Sequence, residues 1–252
     1  ILGHCHPKIT AALSKQAQTL DHIMFGNFTH DPAIELSKKL VKMTPSGLER
    51  VYYSDNGSTA IEVALKMSLH YWVNNKQPKK NKIIFFEGSY HGDTIGAMSV
   101  SGVSQYNQMF RPLMFDAVQM PDPSTNEERS LDALNTVLNQ QLDEFAAIII
   151  EPLIMGAGGM KLTTASFYKQ VEQLAKRHGV HLISDEVATG FGRTGALFAS
   201  TLANVSPDFM CLSKALTNGQ FPLAVTMTTE DIYSAFYGDF SEGKTFYHGH
   251  TF

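Results

Sequence analysis

Apolar residues along this chain fall into short unbroken runs, separated by longer stretches in which they recur every three or four positions. The runs RVYYS, KIIFFE, AAIIIE, HLISDEV, DFMCLS and PLAVTMT read as strands. Pro7 to Leu20, Pro32 to Met43, Ser58 to Trp72, Leu131 to Leu142 and Ala165 to His178 read as helices. The third of these sets Ile61, Leu65, Leu69 and Trp72 on one face. Strands that are apolar on both faces need helices on each side, so the alternation predicts an α/β domain with a mainly parallel sheet. Two polar segments, Val73 to Lys82 and Met120 to Ser130, read as surface loops inside one domain.

Composition narrows the classes. Of 252 residues, 43% are hydrophobic, enough for a large core. Lys and Arg total 20 against 24 Asp and Glu, with no basic block, which argues against a nucleic-acid partner. Cys5 and Cys211 fit neither a disulfide framework nor a zinc pattern, so no metal and a cytoplasmic, reducing setting are expected. The longest apolar run, FAAIII, ends at Glu151 and Pro152, far short of a membrane span. The chain opens on ILGHCHP without a signal-like pattern and closes abruptly on GHTF, so a fragment of a longer protein is expected.

Ligands of parallel sheets gather at the carboxyl ends of the strands, and those ends carry the candidate chemistry. After VYYS, the turn DNGST leads into a helix. Gly57 would let backbone approach a ligand, and Ser58 opens a helix start suited to phosphate, although an ordinary cap reads the same. After KIIFFE, Tyr90, His91 and Asp93 sit in a glycine-flanked loop, where an aromatic ring would stack on a flat ligand or simply pack in a turn. Asp185 leaves an apolar strand and needs a positive partner, either Arg193 or a cationic ligand atom. Lys214 follows 29 residues later, at the end of the strand DFMCLS, where it is a rim lysine or a Schiff-base nucleophile. A phosphate site, a stacking Tyr, an acid for a pyridinium nitrogen and a Schiff-base lysine together describe a pyridoxal 5′-phosphate site.

The segments SDNGSTAIEVALKM, GSYHGDTIGAMSV, IIEPLIMGAGGM, DEVATGFGRTG, CLSKALTNG and HGHTF carry a resemblance, over essentially the whole length, to the class III, fold-type I aminotransferases. Within that family the chain is similar to the members that aminate 8-amino-7-oxononanoate to 7,8-diaminononanoate in biotin biosynthesis, on MFGNFTHDPAIEL, YHGDTIGAMSV and GAGGM. Relatives acting on ornithine-type or γ-aminobutyrate substrates usually read HGRT where this chain has HGDT, so Asp93 marks the substrate class or else orders its loop.

The resemblance implies a fold-type I large domain spanning 1–252, without its N-terminal segment and C-terminal small domain. It implies that Lys214 binds the cofactor covalently and shuttles a proton, that Asp185 holds the pyridinium N–H, and that Tyr90 and Val187 cover the two ring faces. Gly57 and Ser58 would hold the phosphate, and Thr251 would reach the phosphate of the neighbouring subunit in a homodimer with shared active sites. Tyr90, Asp93 and Gly249 would border the substrate. The amino donor implied is S-adenosylmethionine, with lysine used by some relatives. His250 departs from the family's HGPTF. Glu186, Gly192 and Arg193 read as architectural. The rival readings are another class III ω-aminotransferase and a non-catalytic fragment that dimerises. A dinucleotide-binding reading fails, because no G-x-G-x-x-G follows the first strand and opens a helix.

Overall fold

The structure, a computed structural model, describes residues 1–141 and 143–249. In chain order it contains α1 (Pro7–Ala17), α2 (Asp31–Met43), β1 (Leu48–Ser54), α3 (Gly57–Asn74), β2 (Lys82–Phe86), α4 (Ile95–Ser99), α5 (Ser104–Asn107) and β3 (Val118–Met120). There follow α6 (Glu127–Gln140), β4 (Phe145–Ile150), β5 (Ile154–Met155), β6 (Lys161–Leu162), α7 (Ala165–His178), β7 (His181–Asp185), α8 (Ala199–Leu202), β8 (Phe209–Leu212), β9 (Ala224–Thr229) and α9 (Glu230–Ser234).

Every residue of β4 is buried, as a run without polar positions requires. Successive side chains point to opposite faces, and the packing follows that alternation. Ile83, Phe85, Ile149 and Ile183 meet Ile61 and Leu65 of α3 on one face. On the other, Ile84, Phe86, Ile148 and Leu182 meet Leu134 of α6 and Phe167 and Val171 of α7. Met210, Leu212 and Met227 extend that second face to Leu40 of α2. The layers are therefore helix, sheet, helix.

Among the described residues the sheet has seven strands in the order β1-β9-β8-β7-β4-β2-β3. Neighbours from β8 to β3 are parallel. β9 runs antiparallel to both β1 and β8, so β1 points the same way as the rest. The carboxyl ends of six strands thus share one edge, and the candidate residues sit along it. β5 and β6 form a separate antiparallel hairpin.

Element ends differ in instructive places. α6 starts at Glu127, inside the segment read as loop, because the Asn126 side chain caps it by accepting the Arg129 N–H at 2.9 Å. α3 runs on to Asn74. β3 and the β5–β6 hairpin are too short to leave a period-two pattern in the sequence.

At the far edge of the sheet, at the start of β7, the buried His181 ring stacks on Trp72 with centroids 4.7 Å apart. Ser68 Oγ lies 2.9 Å from its Nδ1. Lys80 Nζ sits 3.8 Å above the Trp72 ring and donates to Gly179 O at 2.6 Å. Burial, helped by the Lys80 charge, pushes the His181 pKa down to about 3.

Candidate active site

The turn after β1 makes a helix start with spare donors. The Asn56 side chain accepts the Thr59 N–H at 3.1 Å, while Thr59 Oγ1 accepts the Asn56 N–H at 3.0 Å, and Ala60 N–H donates to Asn56 O at 3.0 Å. That reciprocal cap occupies Thr59 and Ala60 and leaves the N–H groups of Gly57 and Ser58 at the open end of an 18-residue helix. Gly57 is required there by space, since a Cβ would lie 2.7 Å from Val187 Cγ1.

The loop after β2 closes onto that helix. Asp93 N–H donates to Ser58 Oγ at 3.2 Å, and Tyr90 OH donates to Asp93 Oδ2 at 2.7 Å. Asp93 therefore orders the loop. Gly92, at φ +131°, permits the approach, because a Cβ would stand 2.1 Å from Ser58 Oγ. Desolvation, reinforced by the Asp93 hydrogen bond, pushes the Tyr90 phenol up to about 12, so it remains a proton donor.

Asp185, at the end of β7, is 5% exposed. Its Oδ2 lies 2.7 Å from His91 Nδ1, and its Oδ1 accepts the Val187 N–H at 3.1 Å. Within the chain the partner is His91 and not Arg193, one of the two alternatives left open by the sequence; Arg193 is exposed. Among the described residues His91 Nε2 is buried with no hydrogen-bond partner.

β4 lies between β7 and β2, and Ile150 pairs with Ser184, which brings the next residue, Glu151, level with Asp185. Glu151 is 5% exposed; its Oε1 accepts the Tyr90 N–H at 2.7 Å and its Oε2 the Gly156 N–H at 3.1 Å. Burial raises its pKa to about 7, with His91 pulling it down and Asp185 pushing it up.

β8 is the parallel neighbour of β7, with Cys211 opposite Asp185. Three residues beyond Cys211 the chain enters a single 3-10 turn at Lys214, whose φ is +43°. A non-glycine residue in the left-handed region is uncommon, and such strain collects at functional sites. Lys214 is exposed at the cavity wall and not buried with its strand, and among the described residues its ammonium meets no hydrogen-bond or ionic partner. The apolar run ends at Leu212, and Ser213 turns the lysine outward.

Glu186 is buried and accepts the Ala199 and Ser200 N–H groups at 2.7 Å each, which pins the loop that follows Val187.

One cavity of about 910 Å³ is lined by Gly57, Ser58, Tyr90, Asp185, Val187 and Lys214 together. Six of the expected site residues therefore converge. Asp93 lines an adjoining bay of about 680 Å³ with Ile95, Met98, Tyr106 and Phe110, and Tyr90 and Ala157 line both spaces. Gly249 is exposed and lines neither space within this chain; its neighbour His248 accepts a hydrogen bond from Tyr52 OH at 2.7 Å. Thr251 and His250 lie outside the described residues. Among the described residues no cluster of His, Cys, Asp and Glu is arranged to hold a metal, and no helix is long and apolar enough to cross a membrane.

The sequence reading gives no role to His91 or Glu151. A signal for Glu151 was present: it is an acid that directly follows a wholly apolar strand. His91 offered only its place beside Tyr90.

The donor set and shape fit pyridoxal 5′-phosphate. An open helix start faces the same cavity as a buried, oriented carboxylate and an unpaired lysine, and Gly57 against Val187 leaves no filler between them.

The Aminotransferase class-III family matches residues 1–252. An adenosylmethionine-8-amino-7-oxononanoate aminotransferase from Synechococcus elongatus is 47% identical over 99% of this chain and 60% of its own length. A crystal structure of the enzyme of the same name from Methanocaldococcus jannaschii superimposes with a TM-score of 0.94 at 39% identity, over 98% of this chain and 57% of that one. A PLP-bound amine transaminase from an uncultivated Pseudomonas species gives a TM-score of 0.91 at 30% identity, over 99% of this chain and 59% of that one. The chain spans about three fifths of the length of the curated relatives it matches.

Proposed function

The chain belongs to the class III aminotransferases, and from that premise we propose that it is the larger part of the cofactor-binding domain of a pyridoxal 5′-phosphate enzyme. Its reaction is the transfer of an amino group from S-adenosylmethionine to 8-amino-7-oxononanoate, giving 7,8-diaminononanoate; the names of its relatives support both partners. The observation that carries the reading is the meeting of Asp185, held by His91, with an unpaired Lys214 at the ends of adjacent strands in one cavity.

When bound, the cofactor supplies a ring that draws electrons from the carbon bearing the amino group, so that its proton can be removed. The chain's own groups do the rest. Gly57 and Ser58 N–H groups, at the positive end of α3, hold the phosphate. Asp185, fixed by His91 and the Val187 amide, keeps the ring nitrogen protonated. Tyr90 and Val187 bound the slot from opposite sides. Lys214 Nζ holds the group covalently and, once displaced by the donor amine, takes a proton from the substrate and returns it.

Besides ordering its loop, Asp93 borders the adjoining bay beside Tyr90, where its charge would meet a cationic group of the amino donor. In a homodimer, Gly249 and Thr251 complete the partner's site and not their own.

The test is chemical. The full-length protein is incubated with pyridoxal 5′-phosphate, reduced with borohydride and mapped by mass spectrometry, followed by assays with S-adenosylmethionine, lysine and other ω-amines. A pyridoxyl group on Lys214 and turnover with 8-amino-7-oxononanoate are expected. A folded protein without that label overturns the cofactor reading, and a label with turnover only on other amines overturns the substrate.

A further inference from the structure

Three walls of the large cavity come from different parts of the chain: the Tyr90–Gly92 loop after β2, the end of β7 with Asp185, and the β5–β6 hairpin. One side chain touches two of them and lies level with the third. Glu151 Oε1 accepts the Tyr90 N–H at 2.7 Å and Oε2 accepts the Gly156 N–H at 3.1 Å, while the register of β4 on β7 puts Glu151 beside Asp185. The chain that leads from Glu151 to Gly156 turns sharply, with Leu153 at φ +68°, and besides Glu151 the hairpin is tied to the sheet edge by Lys161, which donates to Asp122 at 2.5 Å.

We propose that Glu151 is a positioning residue of the cofactor site, a carboxylate whose two oxygens tie the Tyr90 loop to the β5–β6 hairpin and so fix the slot between Tyr90 and Val187. The inference rests on the cofactor reading above and deepens it.

The bridge has a chemical requirement. The ionised carboxylate offers two strong acceptor oxygens; protonation turns one into an O–H group, a donor and a much weaker acceptor for the amide aimed at it. Glu151 titrates near neutral pH, pushed up chiefly by burial. The ionisable groups around it are Tyr90 and His91 from the β2 loop and Asp185 from β7, with Asp55, Arg193 and Lys214 on the remaining cavity wall. Lys161, at the end of the hairpin, is taken up by Asp122 at 2.5 Å. Raising the pH through about 7 therefore makes the second amide bond and adds negative charge beside Asp185. The first steadies the slot, and the second favours a cationic ring.

Glu151→Gln separates this role from plain packing. Its amide has one acceptor oxygen at every pH, so the variant is locked in the one-bond state. The affinity of the full-length apoprotein for pyridoxal 5′-phosphate is measured by equilibrium dialysis at pH 6 and pH 8, for wild type and Glu151→Gln. The cofactor's own ionisations cancel in the ratio of the two. The expected ratio is about tenfold in favour of wild type at pH 8, falling towards one at pH 6, with Glu151→Ala weaker than both at either pH. If Glu151→Ala does not fold, the Gln ratio decides. An equal affinity of wild type and Gln variant at pH 8, or a ratio that does not change with pH, overturns the role of Glu151 and leaves the cofactor reading standing. A wild-type protein that binds no cofactor overturns both.

Discussion

His91 Nδ1 lies 2.7 Å from Asp185 Oδ2, and the two side chains, from the loop after β2 and the end of β7, are buried together although 94 residues separate them. β4 runs between their strands, so the contact spans one strand of the sheet. A carboxylate taken from water is costly unless donors replace the solvent, and here an imidazole N–H and the Val187 amide do so.

The first prediction follows from that pair. His91→Phe keeps the ring volume but removes the donor and leaves Asp185 with the Val187 N–H. A hydrogen bond to a charged group contributes about 1.5–3 kcal/mol, so cofactor affinity should fall roughly 10- to 100-fold. Equilibrium dialysis of the full-length protein at neutral pH measures it; wild-type affinity in the variant would mean that Asp185 is oriented without its histidine.

Lys214 predicts opposite effects on stability and function. Its φ of +43° costs a β-carbon-bearing residue about 1 kcal/mol that glycine does not incur. Lys214→Gly should lose the covalent label and all transamination, yet unfold in urea at a higher midpoint than Lys214→Ala. Equal midpoints for the two variants would show that the turn stores no strain.

How much of this was legible in the sequence can be argued from the same residues. The apolar runs located six of the seven sheet strands, and the charges at their ends drew attention to Asp185 and Lys214, although each alone also read as a salt-bridged acid or a rim lysine and only their combination pointed to one chemistry. Family resemblance tied Gly57, Ser58, Tyr90 and Val187 to the same site, and all line the cavity. The sequence was silent on His91 as partner of Asp185, because that contact depends on β4 inserting between β2 and β7, an order that local pattern does not encode. It was silent on the hairpin for a different reason: two-residue strands have no period to read.

The His181 stack predicts acid sensitivity at the far edge of the sheet. Folding holds this imidazole neutral, with a pKa of about 3, whereas the unfolded chain has an ordinary value of about 6.5. Its contribution is therefore complete above about 6.5, where both states are neutral. It is lost as pH falls, because the unfolded state takes up a proton that the folded state refuses, at about 1.4 kcal/mol per pH unit. His181→Phe keeps the packing against Trp72 and leaves Ser68 Oγ its bond to Ala146 O at 3.4 Å. Between pH 7 and pH 5 the urea stability of wild type should drop by about 2 kcal/mol more than that of the variant. Buried acids such as Glu151 and Asp208, whose pKa values are raised, shift the opposite way, but they are common to both proteins and cancel in the comparison. Parallel pH profiles would place the acid sensitivity elsewhere.

Gly57 and Val187 allow the slot itself to be tested by a pair of substitutions. They come from the start of α3 and the residue two beyond β7, and no side chain stands between them. A Cβ on Gly57 would lie 2.7 Å from Val187 Cγ1 and 3.1 Å from Cγ2, but 3.5 Å from Val187 Cβ, which is ordinary contact. Gly57→Ala should therefore push Val187 towards the ring position or displace the first turn of α3, and either movement spoils the phosphate donors. A loss of about 1–3 kcal/mol, the usual cost of overpacking, is expected in stability, with weaker cofactor binding. Val187→Ala removes both offending methyl groups, so the double variant should recover much of what Gly57→Ala loses, although it carries the second substitution as well. The measurement is a double-mutant cycle on unfolding midpoint and cofactor affinity, with a coupling energy of about 0.5–3 kcal/mol expected for residues in contact. Additive losses would mean that Gly57 is needed for its backbone approach to the phosphate alone, and that Val187 does not set the width of the slot.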